Sequence, residues 1–464
     1  MAMGKRKRER QETLWIPTGE MPTPPAHPFY QRLNTILTKH GFDEFVEKLC
    51  AKFYAPKMGR PGLVPGIYFR LLLIGYFEGL DSERGIAWRT ADSLALREFL
   101  GLAFTETPPD HSTISRTRRL IDLETHQAVF TWVLQRVAEG GLLKGKTIGI
   151  DATTLEANAA LRSIVRRDSG ENYQEFLTKL AKESGIETPT REDLARLDRK
   201  RAKKGSNDDW AHPYDPDSRI TKMKDGRTHL AHKTENAVDL DTGVVVGVTM
   251  QPADKGDTTT MTETLITAAK QLEAVLPESE RIREVVADKG YHSTERIVDL
   301  ERLGIRTYIS EPKQRRRRWR GDEEARNAVH SNRRRIRGNR GKSLLRRRGE
   351  RLERPFAHLY ETGRMRRTHL RGRTNILKRV LIHVCALNLG LLMRMAVGIG
   401  TPRGLQGRVP ALISALNCTL ALFRTIVEAI KIIFCTSMRF FVLLKHPVAN
   451  PGAAAHTLAF TTGC

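Results

Sequence analysis

Apolar positions along the chain change their period more than once. From His27 to about Leu143 they recur at helical spacing, as in Phe29, Leu33, Ile36 and Leu37. Residues 68–77 are apolar nearly all round, which predicts a central, buried helix. Gly59-Arg60-Pro61-Gly62 precedes it as a turn. Pro108-Pro109-Asp110-His111-Ser112 stops one element and caps the next. The helix that follows interleaves apolar residues with Arg116, Arg118 and Arg119. Two readings fit it: a DNA-reading helix, or an ordinary amphipathic helix with a solvated basic face. The short turn of a helix-turn-helix is not evident upstream of it.

From Lys146 the pattern turns strand-like. Residues 147–151 read as a strand ending at Asp151, and residues 160–230 as a polar insertion or flexible connection with a turn at Asp215-Pro216-Asp217. Residues 236–240 and 244–250 read as a hairpin around Asp241-Thr242-Gly243. Asp257 and the threonines after it are expected to cap a helix running to about Val275, with Met261, Leu265, Ala268 and Leu272 on one face. A strand at 283–287, a helix at 293–303, a strand at 306–309 and an apolar helix at 376–395 follow. Helices followed by a mixed sheet flanked by helices make an α/β class.

Composition adds a partner. Net charge is +25 and the isoelectric point about 10.1, which favours a polyanion, nucleic acid first. No uninterrupted apolar run of about 20 residues suggests a membrane span. The N-terminus is basic and lacks the apolar core of a signal peptide. Cys50, Cys385, Cys418, Cys435 and Cys464 are dispersed, which argues for a reducing compartment and against a disulfide frame or a structural zinc site. Residues 313–354 carry 18 Lys or Arg against 5 Asp or Glu. Such a concentration is a binding surface or a solvated linker. The expected organisation is a basic flexible arm (1–27), an α-helical DNA-binding or assembly domain (28–143), a catalytic domain (144–398) and a helical tail (399–464) whose role is open.

Three carboxylates stand out against this basic background. Asp151 follows Ile148-Gly149-Ile150, Asp288 follows Val285-Val286-Ala287, and Glu353 lies in a helical stretch of the basic segment. Two strand-end aspartates and a longer-reaching glutamate are what a pair of Mg²⁺ or Mn²⁺ ions working on phosphodiesters would need. Each taken alone also reads as a turn, a cap or a surface ion-pair partner. Lys289 and Tyr291 beside Asp288 are candidates for DNA contact. So are Arg315, Arg316, Arg317, Arg318 and Trp319, together with Arg346, Arg347, Arg348, Arg351 and Arg354. Trp319 could equally pack under a loop.

The chain resembles the DDE transposases of bacterial insertion sequences. The strings that carry the resemblance are Arg97-Glu98-Phe99-Leu100-Gly101-Leu102, Pro109-Asp110-His111-Ser112, Ile150-Asp151-Ala152-Thr153, Asp215-Pro216-Asp217-Ser218, Ala287-Asp288-Lys289-Gly290-Tyr291 and Glu353-Arg354-Pro355-Phe356. It implies an RNase H-like mixed sheet flanked by helices, preceded by an α-helical domain. It also implies a metal-binding triad of Asp151, Asp288 and Glu353 that cleaves and joins double-stranded DNA. A homodimer or higher oligomer and a cytoplasmic, nucleoid-associated location go with that. Two positions depart from the family pattern: Tyr360 and Gly349 stand where basic residues are frequent. Glu350 offers a competing register. Pro355 suggests that Glu353 lies near a helix start. The alternatives are a catalytically inactive DNA-binding regulator and a nuclease without strand transfer.

Overall fold

The computed structural model describes residues 27–55, 62–103, 105–201, 205–223, 226–277, 281–313, 319, 321–405, 416 and 419–428. The arm at 1–26, Arg315 to Arg318 and most of the 399–464 tail lie outside them.

Seven helices come first: α1 (Pro28–Lys39), α2 (Phe42–Cys50), α3 (Pro65–Phe77), α4 (Glu83–Ala91), α5 (Leu94–Leu100), α6 (His111–Leu120) and α7 (Leu123–Glu139). Their starts follow local chemistry. Pro65 opens α3, Ser82 caps α4, and Asp110 and Asp122 accept backbone N–H bonds at α6 and α7. From Tyr68 to Phe77 every residue of α3 is buried, as the apolar pattern predicts.

Strand β1 (Thr147–Glu156) opens the sheet. The polar stretch after it is ordered rather than a flexible connection. It holds β2 (Val165–Arg166), α8 (Tyr173–Glu183), α9 (Arg191–Lys200), β3 (Trp210–Ala211) and β4 (Arg219–Lys222). Asn172 with Glu175 and Thr190 with Asp193 make capping boxes that start its two helices. Ala157, Ile164, Trp210 and Leu230 form its small core. The rest comprises β5 (Thr228–Asp239), β6 (Val245–Pro252), α10 (Asp257–Val275), β7 (Glu284–Ala287), α11 (Thr294–Arg302), β8 (Arg306–Ile309), α12 (Glu323–Arg337), α13 (Asn339–Ala357) and α14 (Arg373–Val397).

The sheet runs β4-β5-β1-β7-β8, and β6 continues beside β4 along the outer edge of β5. β5 and β6 are antiparallel to their neighbours, whereas β1, β7 and β8 are parallel. This is the RNase H-like arrangement. Gly243, at φ +85°, makes the β5–β6 turn. Gly256, not Asp257, occupies the cap position of α10. Met261, Leu265, Ala268 and Leu272 are buried along that helix, as the spacing predicts.

A buried asparagine bonds one residue on each of two outer strands, β6 and β8. Asn388 of α14 donates to the Val245 carbonyl at 2.9 Å and accepts its N–H at 3.1 Å. Asn332 of α12 does the same to Ile309, at 2.8 and 3.1 Å.

The described residues up to Gly404 form one compact unit. α14 joins what the sequence separates into two domains, because it packs against α7 and α3 as well as β6. Its helix is long and apolar enough to cross a membrane by composition. Most of it is buried inside the protein instead. Asp215 and Asp217, expected as a turn, accept hydrogen bonds from the Gly372 and Arg373 N–H groups at its start, both at 3.0 Å. Helix N-termini favour such acidic partners. Cys50 and Cys385 are buried free thiols.

Candidate active site

β1 does not stop at Asp151. It runs on to Glu156, so Asp151 sits mid-strand with β5 on one side and β7 on the other. Ile150 pairs with Ala287 in parallel register. The next residues, Asp151 and Asp288, therefore emerge side by side from strands about 4.8 Å apart. β7 ends at Ala287, and Asp288 caps a short 3₁₀ turn by accepting the Lys289 N–H.

The third wall is α13. Gly149, two residues before Asp151, has no side chain to hold the helix off. A Cβ there would lie 3.1 Å from Leu352 Cδ1 and 2.6 Å from Leu240 Cδ2. The close approach delivers Arg348, whose Nη2 lies 3.0 Å from Asp151 Oδ2. Asp151 Oδ1 accepts the Ala152 N–H at 2.9 Å. Burial raises the Asp151 carboxyl above the usual carboxylate range. Arg348 and the Ala152 N–H pull it down, and the charges of Asp288 and Asp257 push it up.

Glu353 lies on the same helix but is exposed. It belongs to the end of the 19-residue α13, not to its start, and Pro355 is accommodated inside the helix. A proline there frees the carbonyl four residues back, and a π-helical turn, His358–Thr362, follows. Bulges of this kind recur at functional positions. Tyr360 in that turn donates to Thr153 Oγ1 at 2.7 Å, tying the end of the helix to β1 beside Asp151.

Among the described residues, no three His, Cys, Asp or Glu side chains converge on a metal position, Asp151, Asp288 and Glu353 included. Two carboxylates fit a divalent cation, since they are adjacent and the charge of Asp288 works against that of Asp151. Glu353 does not reach them in this conformation.

The candidate DNA contacts divide by burial and pairing. Tyr291 is 1% exposed and donates to Glu235 Oε1 at 2.7 Å, so it is a core residue, not a DNA contact. Arg118 is likewise buried, 2.7 Å from Glu83. Arg116 and Arg119 on the same helix are exposed. Arg347 binds Asp241 at 2.6 Å, Arg351 the Thr242 carbonyl at 3.2 Å, and Arg354 pairs with Glu350 at 2.8 Å. Lys289 and Arg346 are exposed, and Trp319 lies beside His330, with ring centroids 6.5 Å apart. From Glu323 onward the basic segment is helical, its arginines carried by α12 and α13.

Sequence reasoning missed a buried network on the other face of the sheet. Glu235 accepts from Tyr291, Thr260 and Thr264. Burial raises its carboxyl, against these hydroxyl bonds. Lys233 reaches Asp257 at 2.6 Å, which is where that aspartate is spent instead of capping α10. The continuous polar string Lys233-Thr234-Glu235-Asn236 inside a strand was the available signal.

Two family models match the chain. One described as a transposase domain covers residues 20–120. One described as a transposase DDE domain covers residues 150–389, just over half of the chain. No curated protein matches it.

Proposed function

Because the chain belongs to the family of transposase DDE domains, we propose that it cleaves DNA at the ends of an insertion sequence and joins those ends to target DNA. The observation that carries this reading is the pair of carboxylates, Asp151 and Asp288. Asp151 lies in β1 and Asp288 just past the end of the parallel neighbour β7, and the arginine-rich α13 brings Arg348 onto Asp151.

Asp151 and Asp288 would hold a divalent cation, and Glu353 would join them after a shift of α13. A Mg²⁺- or Mn²⁺-class ion bound there supplies charge neutralisation at a scissile phosphate and at the departing oxygen. The chain itself positions the DNA. Arg346, Lys289, Arg116 and Arg119 are exposed cations for backbone phosphates, which set register without reading sequence. Trp319 and Arg315 to Arg318 belong to the same basic segment of the sequence and are further candidates for phosphate or base contact. Bringing two ends together requires at least a dimer, acting on DNA in the bacterial cytoplasm.

A second reading is a DNA-binding regulator that no longer cuts. It is favoured by one observation: a guanidinium sits on Asp151 while Glu353 faces solvent. Incubating the protein with DNA carrying its own element's ends and Mg²⁺ or Mn²⁺ separates the readings. Cleavage with joining supports the transposase. Binding without cleavage supports the regulator, and cleavage without joining supports a nuclease.

A further inference from the structure

Asn236 is completely buried, and neither its amide nitrogen nor its carbonyl oxygen has a hydrogen-bond partner. A buried orphan of this kind is costly and uncommon in native proteins. Its position explains why it is kept. On β5 it lies directly opposite Asp151 of β1 in the antiparallel register. Opposed residues share a face of the sheet, with Cβ atoms about 4.5–5.5 Å apart. That face also carries Gly149, Leu240 and the approach of Leu352, so it is the face turned to α13. The neighbour Glu235 points to the other face, toward α10, and accepts three hydroxyl bonds there.

The Asp151 carboxylate is already taken. Arg348 lies against Oδ2, and the Ala152 N–H is on Oδ1. Arg348 Nε is itself buried without a partner. Two unmet polar groups, the Asn236 amide and Arg348 Nε, thus lie around one carboxylate whose oxygens each already hold one partner.

We propose that Asn236 is a positioning residue for Asp151, engaged when Arg348 lets go. This deepens the transposase reading and rests on it. Arg348 moves its guanidinium from Asp151 to a phosphate of the bound DNA, which it can also grip with two N–H groups. The Asn236 amide then donates to the freed Asp151 oxygen and fixes the carboxylate's orientation. A neutral donor suits this place, because it adds no charge beside Asp288. Partners of this kind behind a ligating carboxylate are commonly worth about tenfold to hundredfold in metal affinity.

The test uses the full chain bound to end DNA, with Mn²⁺ binding read by the loss of free-ion electron paramagnetic resonance signal. Asn236→Leu keeps the branched shape and removes the amide. The expected result is Mn²⁺ affinity weakened by about tenfold or more, a matching rise in the Mn²⁺ concentration needed for cleavage, unchanged end-DNA affinity, and an unfolding midpoint equal to or above wild type. Asn236→Ser, which restores a donor, recovers part of the loss, and it serves alone if the leucine variant does not fold. Wild-type Mn²⁺ affinity in a folded Asn236→Leu protein overturns the proposal and leaves the transposase reading standing. A wild-type protein that neither takes up Mn²⁺ nor cuts overturns both.

Discussion

Arg348 holds the Asp151 carboxylate at 3.0 Å, across the gap that Gly149 leaves between β1 and α13. Both side chains are largely shielded, at 16% and 28% exposure. The positive charge beside the two aspartates therefore comes from the protein's own helix in this conformation.

Arg348→Met should expose what that contact does. Removing the guanidinium leaves a partly buried carboxylate next to Asp288 and destabilises the metal-free protein by about 1–3 kcal/mol. Added Mg²⁺ should then raise the unfolding midpoint more than it does in wild type, since no internal cation competes. Denaturant titrations in chelator and in Mg²⁺ check it. Equal metal-induced shifts in the two proteins would count against the competition.

Asp151→Ala, Asp288→Ala and Glu353→Ala should each abolish cleavage of end DNA while leaving its binding largely intact. Glu350, paired with Arg354 on the surface, should be dispensable. If Glu350→Ala stops cleavage and Glu353→Ala does not, the register along α13 is three residues off.

On α6, three arginines have two fates. Arg119→Ala should weaken DNA binding and lower the slope of log affinity against log salt by about 0.9, as losing one phosphate contact does. Arg116→Ala should behave likewise. Arg118→Ala should leave that slope unchanged and lower the unfolding midpoint, because Glu83 loses its buried partner.

His126 makes the helical region sensitive to acid. Its Nδ1 meets the Asp122 carbonyl at 2.7 Å and its Nε2 meets the Tyr68 hydroxyl at 3.1 Å, which fits a neutral ring. Burial pushes its pKa down to about 4 from 6.5. The unfolded chain binds the proton more readily, so this stability is present above pH about 6.5 and is lost as pH falls toward 4. The full loss is about 3 kcal/mol. His126→Gln should flatten urea midpoints between pH 7 and pH 5. His383, also shifted down by burial, keeps part of the slope.

Much of this architecture is legible along the chain. Apolar period alone determined α3, the β5–β6 hairpin, the buried face of α10 and the strand at Arg306–Ile309. These are properties of neighbouring residues, and local burial rewards them directly. The excess of arginine and the family strings around Asp151 and Asp288 likewise pointed to a transposase. Tertiary structure decided the rest. β1 continues past Asp151 because β5 pairs with it through Glu156, a partner 80 or so residues away in sequence that no local pattern announces. Arg118 and Tyr291 look like DNA contacts until Glu83 and Glu235 are seen to hold them inside. α14 unites two apparent domains because its apolar surface extends nearly all round and needs several walls to cover it. The placement of Arg348 on Asp151 and the exposure of Glu353 depend on how closely α13 meets Gly149. That is a matter of packing between elements about 200 residues apart, where one missing side chain sets the distance.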